Sequence, residues 1–172
     1  MPRTKKYPEI DQLIQEIISP EAIPVVQSII AGKENVSEFK IADKLKVSIN
    51  QLRIILYKLQ EYNLLTSTRK KDKKKGWYIY YWTFNFNQAN QIIKDLKQEK
   101  ISTLKKQLDL ENSSEFFTCS KKCVRLTLHH ALEKDFKCPI CERVLKKVDN
   151  RKTIKEIQNQ LISLQEQAEV AA

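Results

Sequence analysis

The sequence predicts a mainly α-helical chain with small β elements, and three observations carry that prediction. Apolar residues recur every three or four positions over most of the chain. One strongly β-prone aromatic run, Trp77 to Phe84, follows a cationic turn. Four cysteines stand as C-x3-C, fourteen residues, then C-x2-C. Together these features divide the 172 residues into a winged-helix domain (1–86), a helical connector (87–115), a zinc-ribbon domain (116–149) and a C-terminal helix (150–172).

The winged helix is read element by element. In PEIDQLIQEII (8–18), Ile10, Leu13, Ile14, Ile17 and Ile18 fall on one helical face, and Pro8 suits a first turn whose N–H groups are unpaired anyway. A second helix over 21–31 turns Ile23, Val26, Ile29 and Ile30 inward and has Gly32 as its stop. A short helix runs from Ser37 to Lys46. Ser48 then caps a longer helix to Asn63, whose core face is Leu52, Ile55, Leu56, Leu59 and Tyr62. Helix, tight turn and helix make a helix-turn-helix. Leu64 to Lys70, the turn KDKKKG and Trp77 to Phe84 add a β-hairpin, which completes the winged-helix pattern. From Gln88 to Glu111 a helix without Gly or Pro forms a stiff connector of about 35 Å. The last helix, from residue 151, spaces Ile154, Ile157, Leu161, Leu164 and Ala168 in a narrow seam suited to one partner helix.

Composition narrows the function. Hydrophobic residues make up 41%, enough for a core, and the net charge of +10 favours polyanionic partners. Gly32 and Gly76 are the only glycines, which excludes a Rossmann fingerprint or a P-loop. The first twelve residues have no apolar segment like a signal peptide's, and no run is long and apolar enough to span a membrane. An intracellular, cytoplasmic protein is expected. In that reducing setting clustered cysteines read as metal ligands.

Cys119, Cys123, Cys138 and Cys141 are the expected ligands of one structural Zn2+. Each pair presents two thiolates at one turn, and the fourteen residues between suit a hairpin or short sheet. Four thiolates leave no position for water, so catalysis is not expected. The first pair is one residue longer than the commonest knuckle, and Glu142 stands where a glycine often relaxes the turn. His129 and His130 read as packing or surface histidines.

The second candidate site is the wing. Residues 69–75 (RKKDKKK) carry a net +5, half of the chain's excess charge. Arg69, Lys70, Lys71, Lys73, Lys74 and Lys75 are candidate DNA contacts to phosphate, which position a protein without reading sequence. In the following strand Trp77, Ile79 and Tyr81 share one face, and Tyr78, Tyr80 and Trp82 the other. One aromatic face therefore needs cover from the connector or from a partner. The recognition-position helix, with Asn50, Gln51, Arg53 and Lys58, is poorly equipped to read bases.

KLQEYNLL running into a basic tip, GWYIYYW and FFTC…FKCPIC resemble the archaeal TFE alpha subunit family, the counterpart of the eukaryotic TFIIE alpha subunit, over about residues 8–165. That resemblance implies a non-enzymatic basal initiation factor. It further implies docking on the RNA polymerase clamp and stalk, within a preinitiation complex containing TBP and TFB, with promoter opening helped through non-template DNA. On it, Trp77, Tyr80, Tyr81 and Trp82 become polymerase contacts and the wing cations DNA contacts. A second, beta subunit is a further implied partner, through the 151–172 helix or the winged-helix surface. The competing expectation is a gene-specific winged-helix regulator with a metal- or redox-responsive cysteine module. An enzyme would need an open metal position and a placed acid or base, and neither is seen.

Overall fold

The computed structural model describes residues 7–71 and 76–169, with side chains through Glu166. Lys73, Lys74 and Lys75 lie outside the described residues. The chain divides into two compact units, 1–94 and 95–172.

The first unit opens with α1 (Pro8–Ile17), started by Pro8 and buried through Ile10, Leu13 and Ile14. A single 3-10 turn leads to α2 (Ile23–Ala31). Its inward face is rotated from the one expected. Val25, Val26, Ser28 and Ile29 are buried, whereas Ile23 and Ile30 are only partly so. Gly32 does end α2, but with φ −82 it does not use the left-handed conformation; Lys33 does, at φ 66. Glycine fits there because a Cβ would meet Val36 Cγ2 at 2.5 Å.

Strand β1 (Val36–Ser37) precedes α3 (Glu38–Leu45), which closes on Lys46 in the left-handed conformation. Helix α4 (Ile49–Glu61) begins as Ser48 predicts. The Ser48 hydroxyl accepts from the Gln51 backbone, and the Gln51 side chain accepts from the Ser48 backbone, both at 3.2 Å. Leu52, Leu56 and Leu59 are fully buried. Tyr62, expected on that face, is exposed, because α4 ends at Glu61 and the chain turns through Asn63 at φ 56.

Strands β2 (Leu65–Lys71) and β3 (Tyr78–Phe84) pair antiparallel from Leu65↔Phe84 to Lys71↔Tyr78. The sheet order is β1-β3-β2, and β1 lies against β3 at Val36↔Trp82. Periodicity did not reveal β1, since two residues are too few to show one. Two helices, a short strand, a helix-turn-helix and a hairpin that shares its sheet with that strand constitute the winged helix.

Helix α5 (Phe86–Ser113) starts two residues before its expected position, and the boundary between the units falls within it. Asn85 caps it, its side-chain oxygen accepting from the Gln88 N–H at 3.2 Å.

In the second unit α5 is followed by β4 (Phe116–Thr118), β5 (Arg125–Thr127), α6 (Leu128–Glu133), β6 (Lys146–Lys147) and α7 (Arg151–Glu169). The sheet order is β5-β4-β6. The fourteen residues between the cysteine pairs are more than the expected hairpin, for they hold a strand and a helix. The narrow seam of α7 does find a partner helix. Ile157 and Leu161 bury against Leu104 of α5, flanked by Ile101, Leu108 and Leu164.

The helix break falls within the expected 111–115, after Ser113, and Glu111 before it belongs to the fold. It is buried and takes a bidentate Arg125 at 2.5 and 2.7 Å, with Asn150 Nδ2 donating at 2.9 Å. Arg125 also lies 3.8 Å from the Phe116 ring centroid. The Arg125 guanidinium, helped by Asn150, holds the Glu111 carboxyl below its usual range. Among the described residues no helix is long and apolar enough to cross a membrane.

Candidate metal centre and wing surface

Backbone geometry at two turns brings the four cysteines together. At the first, between β4 and β5, Thr118 Oγ1 donates to the Val124 carbonyl at 2.6 Å and the Lys122 N–H to the Cys119 carbonyl at 2.8 Å. At the second, Cys138 N–H donates to Arg143 O at 2.9 Å and Glu142 N–H to Cys138 O at 2.8 Å. The extra residue of the first turn is accommodated by Lys122 in the left-handed conformation (φ 53). Glu142 adopts the same conformation (φ 57) at the position where glycine is usual. For a non-glycine residue that conformation costs roughly 1–2 kcal/mol. Glu142→Gly is therefore expected to stabilise the ribbon by about 0.5–1 kcal/mol, after the larger unfolded-state freedom of glycine is counted. A higher chelator concentration for half-unfolding is the measurement; a lower one would contradict the strain at Glu142.

All four sulfurs lie within 4.8 Å of one another, and Cys119 and Cys141 are 3.6 Å apart. Four sulfurs each about 2.3 Å from a tetrahedral ion sit about 3.8 Å apart, so the set fits a zinc ion with slight contraction. Cys119 and Cys138 are buried among Phe117, Ala131 and Leu145, with Phe136 edge-on to Phe117. The Cys123 N–H donates to the Cys119 sulfur at 3.4 Å and brings that thiol down to about 6. Cys123, hydrogen-bonded to the same sulfur, is pushed up to about 12. A divalent cation ends that competition by favouring all four thiolates. His129 and His130 are exposed, and the metal-ligand cluster among the described residues consists of the cysteines alone. His130 Nδ1 instead lies 2.9 Å from Thr127 Oγ1.

The wing distributes its aromatic residues differently from simple alternation. Burial rises along β3: Trp77 and Tyr78 are each 51% exposed, Ile79, Tyr80 and Tyr81 are partly buried, and Trp82 is 1% exposed. The base of the hairpin is buried on the helices, whereas at its outer end the half-exposed Trp77 reaches them only by stacking on Phe39 of α3, 6.4 Å between ring centroids. Trp82 packs against Tyr57 and Tyr80 at 6.2 and 6.5 Å between ring centroids. Trp82, named as a polymerase contact on the resemblance, is thus buried and offers no exposed surface of its own. Tyr78, absent from the sequence-derived set, is exposed, and its signal was its place next to the turn. Arg69 lies 5.0 Å from the Tyr78 ring centroid and Lys70 5.6 Å from that of Tyr81, so cations and rings interleave on both faces. Arg69, Lys70 and Lys71 are exposed.

The recognition-position helix offers little to a base pair. Arg53 is bound to the buried Glu38 through Nε at 3.0 Å and Nη2 at 2.7 Å. Its outward residues include Ile54, 60% exposed, and Tyr57, an apolar surface that sequence reasoning missed. The missing signal was the Glu38 partner, fifteen residues away, that turns Arg53 inward.

A winged helix with an apolar recognition helix, combined with a four-cysteine ribbon, defines a class of winged-helix, zinc-ribbon-type proteins. Comparison makes the class specific. The TFIIE alpha subunit family matches residues 9–113. Transcription factor E of Metallosphaera sedula is 32% identical over 162 residues, covering 92% of this chain and 92% of that protein. Transcription factor E of Methanobrevibacter smithii is 34% identical, covering 90% and 88%. That of Thermococcus kodakarensis is 32% identical, covering 94% and 87%. The chain belongs to the TFIIE alpha subunit family, a family of transcription initiation factors and not of enzymes.

Proposed function

We propose that this chain is a basal archaeal transcription initiation factor that binds RNA polymerase in its clamp and stalk region and promotes promoter opening. It works from the cytoplasm, at the nucleoid, within the complex built by TBP and TFB. The observation that carries the reading is the surface of the winged helix. Its recognition helix has its arginine tied to Glu38, while apolar and aromatic side chains stand outward at Ile54, Tyr57, Trp77 and Tyr78. Such a surface suits a protein partner, since aromatic residues are favoured interface anchors. Trp77 supplies the exposed polymerase contact, with Tyr80 and Tyr81 at its margin and Trp82 supporting them from behind. Family membership counts against the gene-specific regulator.

A pull-down with archaeal RNA polymerase tests the reading. The intact chain should be retained, and a folded Trp77→Ala/Tyr78→Ala variant should lose most of that retention. Equal retention of both would remove the wing from the contact, and no retention of either would remove the reading. Trp82 is left intact because its loss would open a cavity in the core.

The wing cations Arg69, Lys70 and Lys71, together with Lys73, Lys74 and Lys75, contact the phosphates of promoter DNA, on the non-template strand as it separates. Each cation replaced by alanine should flatten the log–log salt dependence of DNA binding by roughly 0.7–0.9, with no change in sequence preference. A change in preferred sequence would assign base reading to the wing.

One zinc ion is held by Cys119, Cys123, Cys138 and Cys141. When bound it supplies a structural cross-link between the two turns. A beta subunit, where present, meets the winged-helix surface, because the apolar seam of α7 is already covered by α5.

A further inference from the structure

The four sulfurs are not equivalent. Cys119 and Cys138 are each 1% exposed, walled in by Phe117, Ala131 and Leu145. Cys123 and Cys141 are partly exposed and form the outer edge of the four-sulfur set. The turns that carry the outer edge are exposed and linked to each other. Lys121 and Lys122 are exposed in the first turn, and Arg143 next to the second turn donates to Ser120 of the first at 3.2 Å. Cysteines that solvent reaches are open to modification, whereas buried ones are inert.

We propose that the Cys123–Cys141 edge is a modification site for soft electrophiles, and that capture of either sulfur releases the metal. The thiolate attacks the electrophilic carbon. The new S–C bond uses the sulfur lone pair that would bind the metal, so that sulfur is lost as a thiolate ligand. With a maleimide, the second ring carbon takes its proton from water. The resulting thioether no longer completes a four-thiolate set, so the ion leaves to solvent. The ribbon then lacks its cross-link, which makes the factor sensitive to thiol-reactive stress at one defined edge.

The proposal rests on the zinc reading above, and the experiment separates the two. The full chain as purified is first assayed for zinc by elemental mass spectrometry. It is then given a short, substoichiometric pulse of N-ethylmaleimide and mapped by peptide mass spectrometry, with freed zinc followed by 4-(2-pyridylazo)resorcinol. Adducts on Cys123 and Cys141 should exceed those on Cys119 and Cys138 by at least about tenfold, with zinc released in step with the first adducts. Adducts spread evenly over the four, or led by Cys119 or Cys138, overturn the proposal. So do adducts on Cys123 and Cys141 that leave the zinc in place. A preparation that lacks zinc and takes none up on reconstitution counts against the metal reading itself; one that takes zinc up is labelled after reloading, and the same ratio then decides which edge is open.

Discussion

Removing zinc with an excess of a strong chelator should unfold residues 116–149 and leave the winged helix folded. The ribbon's buried cluster is small, and two of its five members, Cys119 and Cys138, are themselves ligands. A structural zinc contributes roughly 10–16 kcal/mol of apparent binding energy, which in a module this size is folding energy. No comparable apolar core replaces it. In hydrogen exchange, amides such as Leu145 and Val148, which donate to Phe136 and Phe116 at 2.7 Å, should lose protection. Those of α4 should keep theirs. Protons compete with the metal for thiolates, so chelation should go to completion more readily at lower pH. Undiminished protection of the ribbon in zinc-free protein would show that its fold rests on packing instead.

Arg53→Ala should destabilise the winged helix by about 3 kcal/mol, the lower end of the range for stripping a buried charge of its partner. The Glu38 side chain is 1% exposed, and Arg53 supplies both of its charged hydrogen bonds. The lower end applies because Arg53 is itself 34% exposed and its charge is screened by water. A Glu38→Leu/Arg53→Met double variant should recover most of the loss, since replacing both partners removes the desolvated charge. Urea unfolding followed by tryptophan fluorescence reads this unit alone, because both tryptophans, Trp77 and Trp82, belong to it. A loss below about 0.5 kcal/mol would place the pair among ordinary surface ion pairs. An accompanying change in DNA sequence preference would assign base reading to Arg53.

Features governed by near neighbours could be read from the residues alone. The Ile10, Leu13, Ile14 face, the Ser48–Gln51 cap and the cysteine spacing all involve positions a few residues apart, and all recur in the structure. Features governed by distant partners could not. Glu38 and Glu111 look like surface carboxylates until Arg53, Arg125 and Asn150 are placed beside them. The exposure of the outer end of the hairpin follows from how far the helices extend beneath it, which alternation within a strand does not encode. Strand β1 is defined by its pairing with Trp82 and Tyr81, and not by its own two side chains.

The return of α7 onto α5 makes the ribbon an insertion between two paired helices. With Leu104 against Ile157 and Leu161, and Glu111 bonded to Asn150, the two ends of residues 114–149 are held near each other even when the segment between them is unfolded. Closing a free loop of that size costs about 3 kcal/mol beyond a constant. Here the helical pair has already met that cost before the metal arrives. Loss and rebinding of a zinc ion are thus expected to open the ribbon as a tethered loop and re-form it, without the chain having to find its own ends again.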